Sequence, residues 1–584
     1  MDIKKYSRKF RILFKIIRYI YSLNPFNAIS RDFLFIVSIG LQMYVITVGG
    51  QFIDATADIL KNWNTFSLQS YFVTDSFYFL ALGLSLWLIV MLIGNLRGHL
   101  YDRINQNTLW HMQGELLNVI SRTNLEDIES KEFRDLLTFV PNFSYGNVIA
   151  SYYEFSEAIK GLFTAVTSVS FIWVIMGPSS LIVMLFAVAE NVVSHYYRNK
   201  RKTFYNGQVE NFKTIDYLQN LMTRIQFFPE LRVDNTFSPL KDKYSERTRN
   251  YVDGYLHIWA HDTIDTSLAS VVDNILVCGY IIYVLFVSIM KRLTIGHFKA
   301  IYDYVFSIYG NTSAFLTSVL KISSYVDYSE KYFDYIEYKG FGDLAHGELE
   351  LSEGTPKLAL KNVNFRYPEN KENTLSNLNV EFNPGEKILI IGGDGSGKSS
   401  FIKLLCGLYK IDEGDYLING IDIRELQRGE LKKHISVLFQ DFIDYNFSVK
   451  ENITLTKLHK NLDLKLYDDV KKICDIDRIL EKENIDDDQL LGKYISGGKE
   501  LSPGYWQRLA LARMLYRNRD IFIMDEPFTY IDQFSRKAIL KRVLDFIGKD
   551  KTVIYITQDD HFLEFFDKAY HLKNGRLHKY IKGS

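Results

Sequence analysis

Cysteine is scarce in this chain and forms no pattern. The three residues Cys278, Cys406 and Cys474 lie far apart in 584 positions, without the paired spacing of a zinc site or a disulfide framework. Charge of one sign is also lacking: Lys+Arg and Asp+Glu both number 69, so nothing in the balance points to nucleic acid. No secretory signal opens the sequence, because the first apolar run begins late and carries no cleavage pattern. What is plentiful is aromatic, with 39 tyrosines and 41 phenylalanines spread unevenly. A mean hydropathy of −0.07 averages two unlike parts: a first half with long apolar runs and a second that reads as a soluble α/β domain. The length sets an expectation of roughly two to four domains.

The second half carries the sharpest signal, Gly392-Gly393-Asp394-Gly395-Ser396-Gly397-Lys398-Ser399. It fits G-x-x-x-x-G-K-[ST], a loop whose backbone N–H groups close around phosphate oxygens. A strand over Lys387–Ile391 and a helix from Lys398 are expected on either side. In this motif Lys398 reaches the β/γ-phosphates and the Ser399 hydroxyl holds Mg²⁺. Glycine-rich turns match the pattern by chance, but two later segments complete it. Leu501-Ser502-Pro503-Gly504-Tyr505 opens a helix, and Ile521-Phe522-Ile523-Met524-Asp525-Glu526 reads as a buried strand ending in two carboxylates. Asp525 falls where a metal is held and Glu526 where a general base meets the attacking water.

The first half reads as membrane helices. Phe33–Gly50 and Phe77–Gly94 are uncharged runs, and Gly161–Ala189 holds no charge at all. Gly177-Pro178-Ser179-Ser180 interrupts the last, giving either two helices, roughly 156–176 and 180–198, or one kinked span. Ser267–Met290 is a fifth candidate. Ile295–Leu320 is the sixth and weakest, since it contains Lys299 and Asp303. Basic residues cluster before the first span and after the second and fourth, which puts the N-terminus and the even loops on the cytosolic side; Lys291 and Arg292 run against this. Residues 10–20 look like an interfacial amphipathic helix.

The order of P-loop, Gln440, LSPGY, MDEP and Thr529-Tyr530-Ile531-Asp532 resembles the nucleotide-binding domain of an ABC transporter, closely over about the last 230 residues. The resemblance implies a multidomain membrane protein: a six-helix α transmembrane domain of the type I exporter kind, then an α/β P-loop NTPase domain. The expected division is a cytosolic elbow over 1–30, membrane helices over 31–325, a linker over 326–356 and the ATP-binding domain over 357–584. It implies ATP and Mg²⁺ as cofactors. Gly392, Gly395, Ser396, Gly397, Lys398, Ser399 and Ser400 form the phosphate cradle, Tyr367 stacks on adenine, Ser502 and Gly504 meet nucleotide across a dimer, and Asp532 is a further nucleotide-binding residue. Ser399, Gln440 and Asp525 serve the metal; Glu526, Gln440 and Gln558 serve catalysis. A cytosolic ATPase domain keeps Cys406 and Cys474 reduced. The long inner stretches 95–154 and 197–265 are expected to carry short coupling helices within Asn124–Tyr145 and Thr214–Phe228.

Two departures from the family pattern stand out. The place of its switch histidine reads Thr557-Gln558-Asp559-Asp560, and an amide cannot become cationic; His561 is the one nearby substitute. Pro503 removes a backbone donor from the signature. Slower turnover is expected. Fusion of membrane and ATPase parts resembles exporters, and Gly497-Gly498-Lys499-Glu500-Leu501-Ser502 with Trp506-Gln507 resembles exporters of lantibiotic-type peptides. The roughly 30 residues before the first span hold no peptidase domain. The alternatives are a lipid or multidrug exporter, or a weakly hydrolysing regulatory half of a heterodimer. The expected partners are a second half transporter, a second copy before a different chain, the lipid bilayer of a bacterial plasma membrane, and a peptide cargo. Tyr44, Tyr280, Tyr283, Tyr302, Tyr309, Asp273, Asn274, Lys299 and Asp303 are candidates for lining the cargo path.

Overall fold

The computed structural model describes residues 3–61, 71–338, 345–367, 370–455 and 462–580. The chain divides into two compact units, one of residues 1–119 and 135–337, the other of residues 120–134 and 338–584.

The first unit is helical. The main helices are α1 (Ile3–Leu23), α2 (Pro25–Lys61), α3 (Asp75–Arg122), α4 (Leu125–Glu129, which belongs to the second unit), α5 (Tyr145–Met176), α6 (Val188–Gly207), α7 (Phe237–Met290) and α8 (Ile295–Ile336). Among the described residues four helical stretches are long and apolar enough to cross a membrane: Pro25–Lys61, Asp75–Arg122, Tyr145–Tyr205 and Phe237–Met290. The third contains the expected break. Gly177 takes φ +60°, a conformation that glycine adopts without a Cβ clash, and Pro178 follows in a 3₁₀ turn over Gly177–Leu181. Side-chain pairs show that the chain reverses there. α5 runs antiparallel to α8 through Ser168–Ser307 and Glu154–Lys321. α6 runs antiparallel to α7 through Tyr197–Asp265 and Arg201–Asp262. The sixth helix, α8, exists and is packed against α2, α5 and α7, but it is not among those four apolar stretches.

The linker expected from residue 326 starts later, because α8 continues to Ile336. Two of its tyrosines, Tyr332 and Tyr335, are core, not loop. Val326, Ser329, Tyr332 and Phe333 repeat at helical spacing and are buried. The Tyr332 hydroxyl donates to Glu115, and Tyr335 donates to the Leu116 carbonyl at 3.1 Å. Part of the remaining linker lies outside the described residues.

The second unit is built on two sheets. Strands β1 (Leu358–Phe365), β2 (Leu375–Phe382), β4 (Glu413–Ile418) and β5 (Ile421–Asp422) form an antiparallel sheet in the order β2-β1-β4-β5. Strands β3 (Lys387–Ile391), β6 (Ile435–Leu438), β7 (Ile521–Asp525), β8 (Thr552–Thr557), β9 (Lys568–Lys573) and β10 (Arg576–Lys579) form a second sheet in the order β10-β9-β3-β8-β7-β6. All its pairings are parallel except β9–β10. Parallel strands buried on both faces read as unbroken apolar runs, as in Ile521–Met524 and Val553–Ile556, all fully buried or nearly so. Two apolar clusters result, one including Trp506, Leu511 and Phe522, the other Ile388, Phe401 and Ile523.

Candidate functional site

The parallel strands set the site. In an open α/β sheet, ligand groups collect beyond the carboxyl ends of the strands. Here β3 ends at Ile391, β7 at Asp525, β8 at Thr557 and β6 at Leu438, in register through Ile391↔Thr557 and Asp525↔Ile556. One edge therefore brings together Gly392–Ser399, Asp525, Glu526, Gln558 and Gln440.

The phosphate loop turns between β3 and helix α9 (Lys398–Leu405). Gly395 and Gly397 have φ of +72° and +102°, which bends successive N–H groups to one side. A Cβ on Gly392 would lie 2.6 Å from Ser396 Oγ, so that position admits only glycine without rearrangement. Lys398 is buried and folds back, donating to the carbonyls of Gly392 at 2.9 Å and Gly393 at 3.2 Å. Its Nζ also lies 3.4 Å from Glu526 Oε1. Ser399 is exposed, whereas the buried Ser400 exchanges a hydrogen bond of 3.0 Å with the Tyr367 hydroxyl. Tyr367 is half-buried, edge-on to Phe365 and Tyr409.

Asp525 is buried to 3% exposure and its Oδ1 accepts no hydrogen bond among the described residues. Burial, and then the neighbouring Glu526, push its carboxyl up to about 7. A hard divalent cation at this carboxylate supplies the missing partner and favours the ionised form. Ser399 and Gln440, both exposed at the same edge, add oxygen donors of the right kind. The donor set fits Mg²⁺. Ser396 Oγ is a second buried atom at the site without a partner among the described residues, inside the anion-binding turn.

Glu526 takes φ +46°, an uncommon left-handed conformation for a residue with a side chain. Its backbone is pinned on both sides: its N–H donates to Ile556 at 2.9 Å, and its carbonyl accepts from Gln507 Nε2 at 3.1 Å and from Thr529 Oγ1 at 3.0 Å. Gln558 closes the arrangement, its Nε2 donating to Asp394 Oδ1 at 2.9 Å and Glu526 Oε1 at 3.0 Å. The other sequence candidate at this corner, His561, has a side chain 67% exposed beside Asp560. Asp394 and Gln507 were not among the expected site residues: the first fills a free position of the motif, the second a helix interior.

The signature residues sit elsewhere on the unit. Ser502 is the exposed N-cap of α10 (Pro503–Tyr516), and its side chain caps nothing. Pro503 occupies the first helical position, where its missing N–H has no intrahelical partner to lose and its fixed φ suits the helix. A Cβ on Gly504 would stand 2.6 Å from the Tyr530 carbonyl. Asp532 caps α11 (Gln533–Ile547) by accepting from Ser535 N–H at 3.0 Å.

Of the cargo-path candidates, Tyr280 is buried, exchanging a 3.1 Å hydrogen bond with Ser179, and Asp273 is buried and accepts from the Glu190 N–H at 3.2 Å. Lys299 and Asp303 pair with each other one turn apart. Tyr44, Asn274 and Tyr283 are exposed, and Tyr302 and Tyr309 half-buried.

Residues 375–529 match the family model described as ABC transporter. The chain is 28% identical over 462 residues to the subtilin transport ATP-binding protein SpaT of Bacillus subtilis, covering 77% of this chain and 73% of that one. It is 22% identical to the nisin transport ATP-binding protein NisT of Lactococcus lactis subsp. lactis, covering 84% and 82%. Its fold matches the structure of a bacterial Atm1-family ABC exporter with ATP bound, with a TM-score of 0.77, 17% identity and 95% of each chain covered. Fold and site define a P-loop ATPase fused to a multi-helix membrane domain. The chain belongs to the ABC transporters, of the exporter type, and its ATP-binding domain couples ATP hydrolysis to transport.

Proposed function

We propose that the protein exports a ribosomally made peptide of the lantibiotic kind from the cytoplasm, as one half of a dimer working by alternating access. The observation that carries this reading is similarity to SpaT and NisT across most of both chains, membrane part included. In this reading the loop N–H groups and Lys398 hold the β/γ-phosphates, and Tyr367 offers a ring face to adenine. Ser399, Gln440 and Asp525 hold Mg²⁺, which, when bound, neutralises phosphate charge. Glu526 accepts the proton of the attacking water, held in place by its pinned backbone and by Gln558. Lys398, 3.4 Å from Glu526, moves to the phosphates when nucleotide enters and leaves that carboxylate free. Ser502 and the first turn of α10 face the nucleotide of the partner half, which a second copy of this chain supplies. The test is export of a candidate lanthionine peptide by cells carrying the protein, with stimulation of the purified protein's ATPase by the same peptide.

Gln558 and Pro503 favour a second reading, a regulatory half that binds ATP and hydrolyses it negligibly beside an active partner. Phosphate release by the purified homodimer no faster than by Glu526→Gln would select it.

A further inference from the structure

The first unit holds a cavity of about 520 Å³ lined by α2, α3 and α5, with Tyr21 of α1 also in its lining. Its walls differ sharply along their length. One end carries Arg31, Asp32 and Arg97. The rest is mainly apolar, formed by Phe35, Ile39 and Met43 on α2 and by Ile159, Phe163 and Phe171 on α5, with Ser156 and Thr167 between them.

The charged end is built but incompletely satisfied. Arg31 is 3% exposed, and its Nη1 has no hydrogen-bond partner among the described residues; nor has Arg97 Nε. The Arg31 guanidinium lies over the rings of Tyr152 and Tyr101, 4.9 and 5.7 Å from their centroids, and Arg97 lies 5.2 Å over Phe35. Arg31, Arg97 and Lys160 outnumber the acids beside them, Asp32 and Glu157. Asp32 accepts from the Tyr21 hydroxyl. Glu157, 3.9 Å from Arg97, is also held by Lys160 at 3.2 Å. A buried guanidinium with an empty donor is costly unless an anion completes it.

We propose that this cavity seats an anionic phospholipid, its phosphate on Arg31 and Arg97 and one acyl chain along the trough. The apolar wall on α5 from Phe155 to Phe171 rises about 24 Å at the helical repeat, enough for a chain crossing one hydrocarbon leaflet of about 15 Å. The arginines stand where the apolar runs of the first two spans meet their polar flanks, beside the amphipathic α1, which is headgroup depth. A peptide would need hydrogen-bond partners for its backbone along its whole length; an acyl chain needs none, and the wall supplies few. The inference depends on the membrane helices and not on the cargo.

The full-length protein, delipidated in mild detergent, is titrated with phosphatidylglycerol or with phosphatidylcholine of identical chains, and bound lipid is counted by native mass spectrometry. One phosphatidylglycerol per chain is expected to bind at least about tenfold more tightly than phosphatidylcholine, as one charge-assisted hydrogen bond implies. Arg31→Gln with Arg97→Gln is expected to abolish that preference. Gly40 lines the trough, and a Cβ there meets nothing within 4 Å, so Gly40→Leu fills the chain seat without burying a charge. It is expected to weaken both lipids while the arginines remain. Equal binding of the two lipids to the wild type overturns the proposal. So does an unchanged phosphatidylglycerol affinity in Gly40→Leu, which decides the matter even if the arginine variant fails to fold. Displacement by inorganic phosphate alone, or by an apolar peptide with a free carboxylate but by neither lipid, assigns the arginines to another anion and also overturns it.

Discussion

Gln558 stands between two carboxylates, 2.9 Å from Asp394 and 3.0 Å from Glu526. Its amide can orient Glu526 but cannot become cationic as negative charge builds on a phosphate. An imidazole there can. Gln558→His is therefore expected to raise ATP turnover, by up to roughly tenfold or about 1.4 kcal/mol of barrier. Phosphate release measured at saturating ATP checks this, and an equal or lower rate would mean that the amide's two hydrogen bonds matter more than charge. Glu526→Gln keeps the shape of the side chain and removes the base. It is expected to retain ATP binding while turnover falls about 10²-fold or more, read by nucleotide binding and phosphate release on the same preparation. Most of this corner was legible in the sequence, because motif spacing fixes which residues follow which strand. Asp394 was not, since the motif leaves its position free. Nor was the strain at Glu526, whose φ of +46° has no signature in residue type.

At the scale of elements, the short helix α4 is the part whose range the sequence located and whose contacts the structure supplies. Helical pattern and the family likeness placed a coupling helix within Asn124–Tyr145. Such a helix is expected to touch the ATPase, and residues 120–134 fold with that unit. Asn124 caps α4 by accepting from Asp127 N–H at 2.8 Å, and Leu125 packs against the apolar cluster of β1, β2 and α9. Tyr409, 2% exposed, donates to Glu129 and lies edge-on to Tyr367 at 5.2 Å, whose hydroxyl meets Ser400 beside the phosphate loop. Three side chains thus link α4 to the nucleotide edge. Tyr409→Phe removes only the bond to Glu129 and preserves the packing. Basal turnover and ATP affinity are expected to stay within about twofold, and thermal stability to fall by no more than about 1 kcal/mol. Stimulation of hydrolysis by cargo is expected to fall. Stimulation equal to that of the wild type would show that α4 signals by other contacts. The linker's later start has a local cause: a run rich in tyrosine and acid reads as polar, yet Tyr332 and Tyr335 lie on α8 and bury their rings.

At the scale of the whole molecule, the open matter is what crosses the membrane. Charged groups on the sixth helix were expected to mark a path, but Lys299 and Asp303 neutralise each other one turn apart. Exchanging the two, Lys299→Asp with Asp303→Lys, preserves that pair and is expected to preserve export within about twofold, as a partly exposed pair worth little to stability implies. Either single alanine variant leaves a lone charge at membrane depth and is expected to impair export more. Export lost in the exchanged variant as well would mean that one of the two groups meets cargo in a fixed orientation. The exposed and half-buried residues Tyr44, Tyr283, Tyr302, Tyr309 and Asn274 offer rings and hydrogen-bonding groups, chemistry that suits an amphipathic peptide more than a lipid tail. The purified protein in lipid bilayers is therefore expected to hydrolyse ATP at least about twofold faster with a lantibiotic precursor than without, a preference worth about 0.4 kcal/mol or more of barrier. Stimulation by free lipids or hydrophobic dyes, with none by peptides, would leave the exporter standing and remove the peptide.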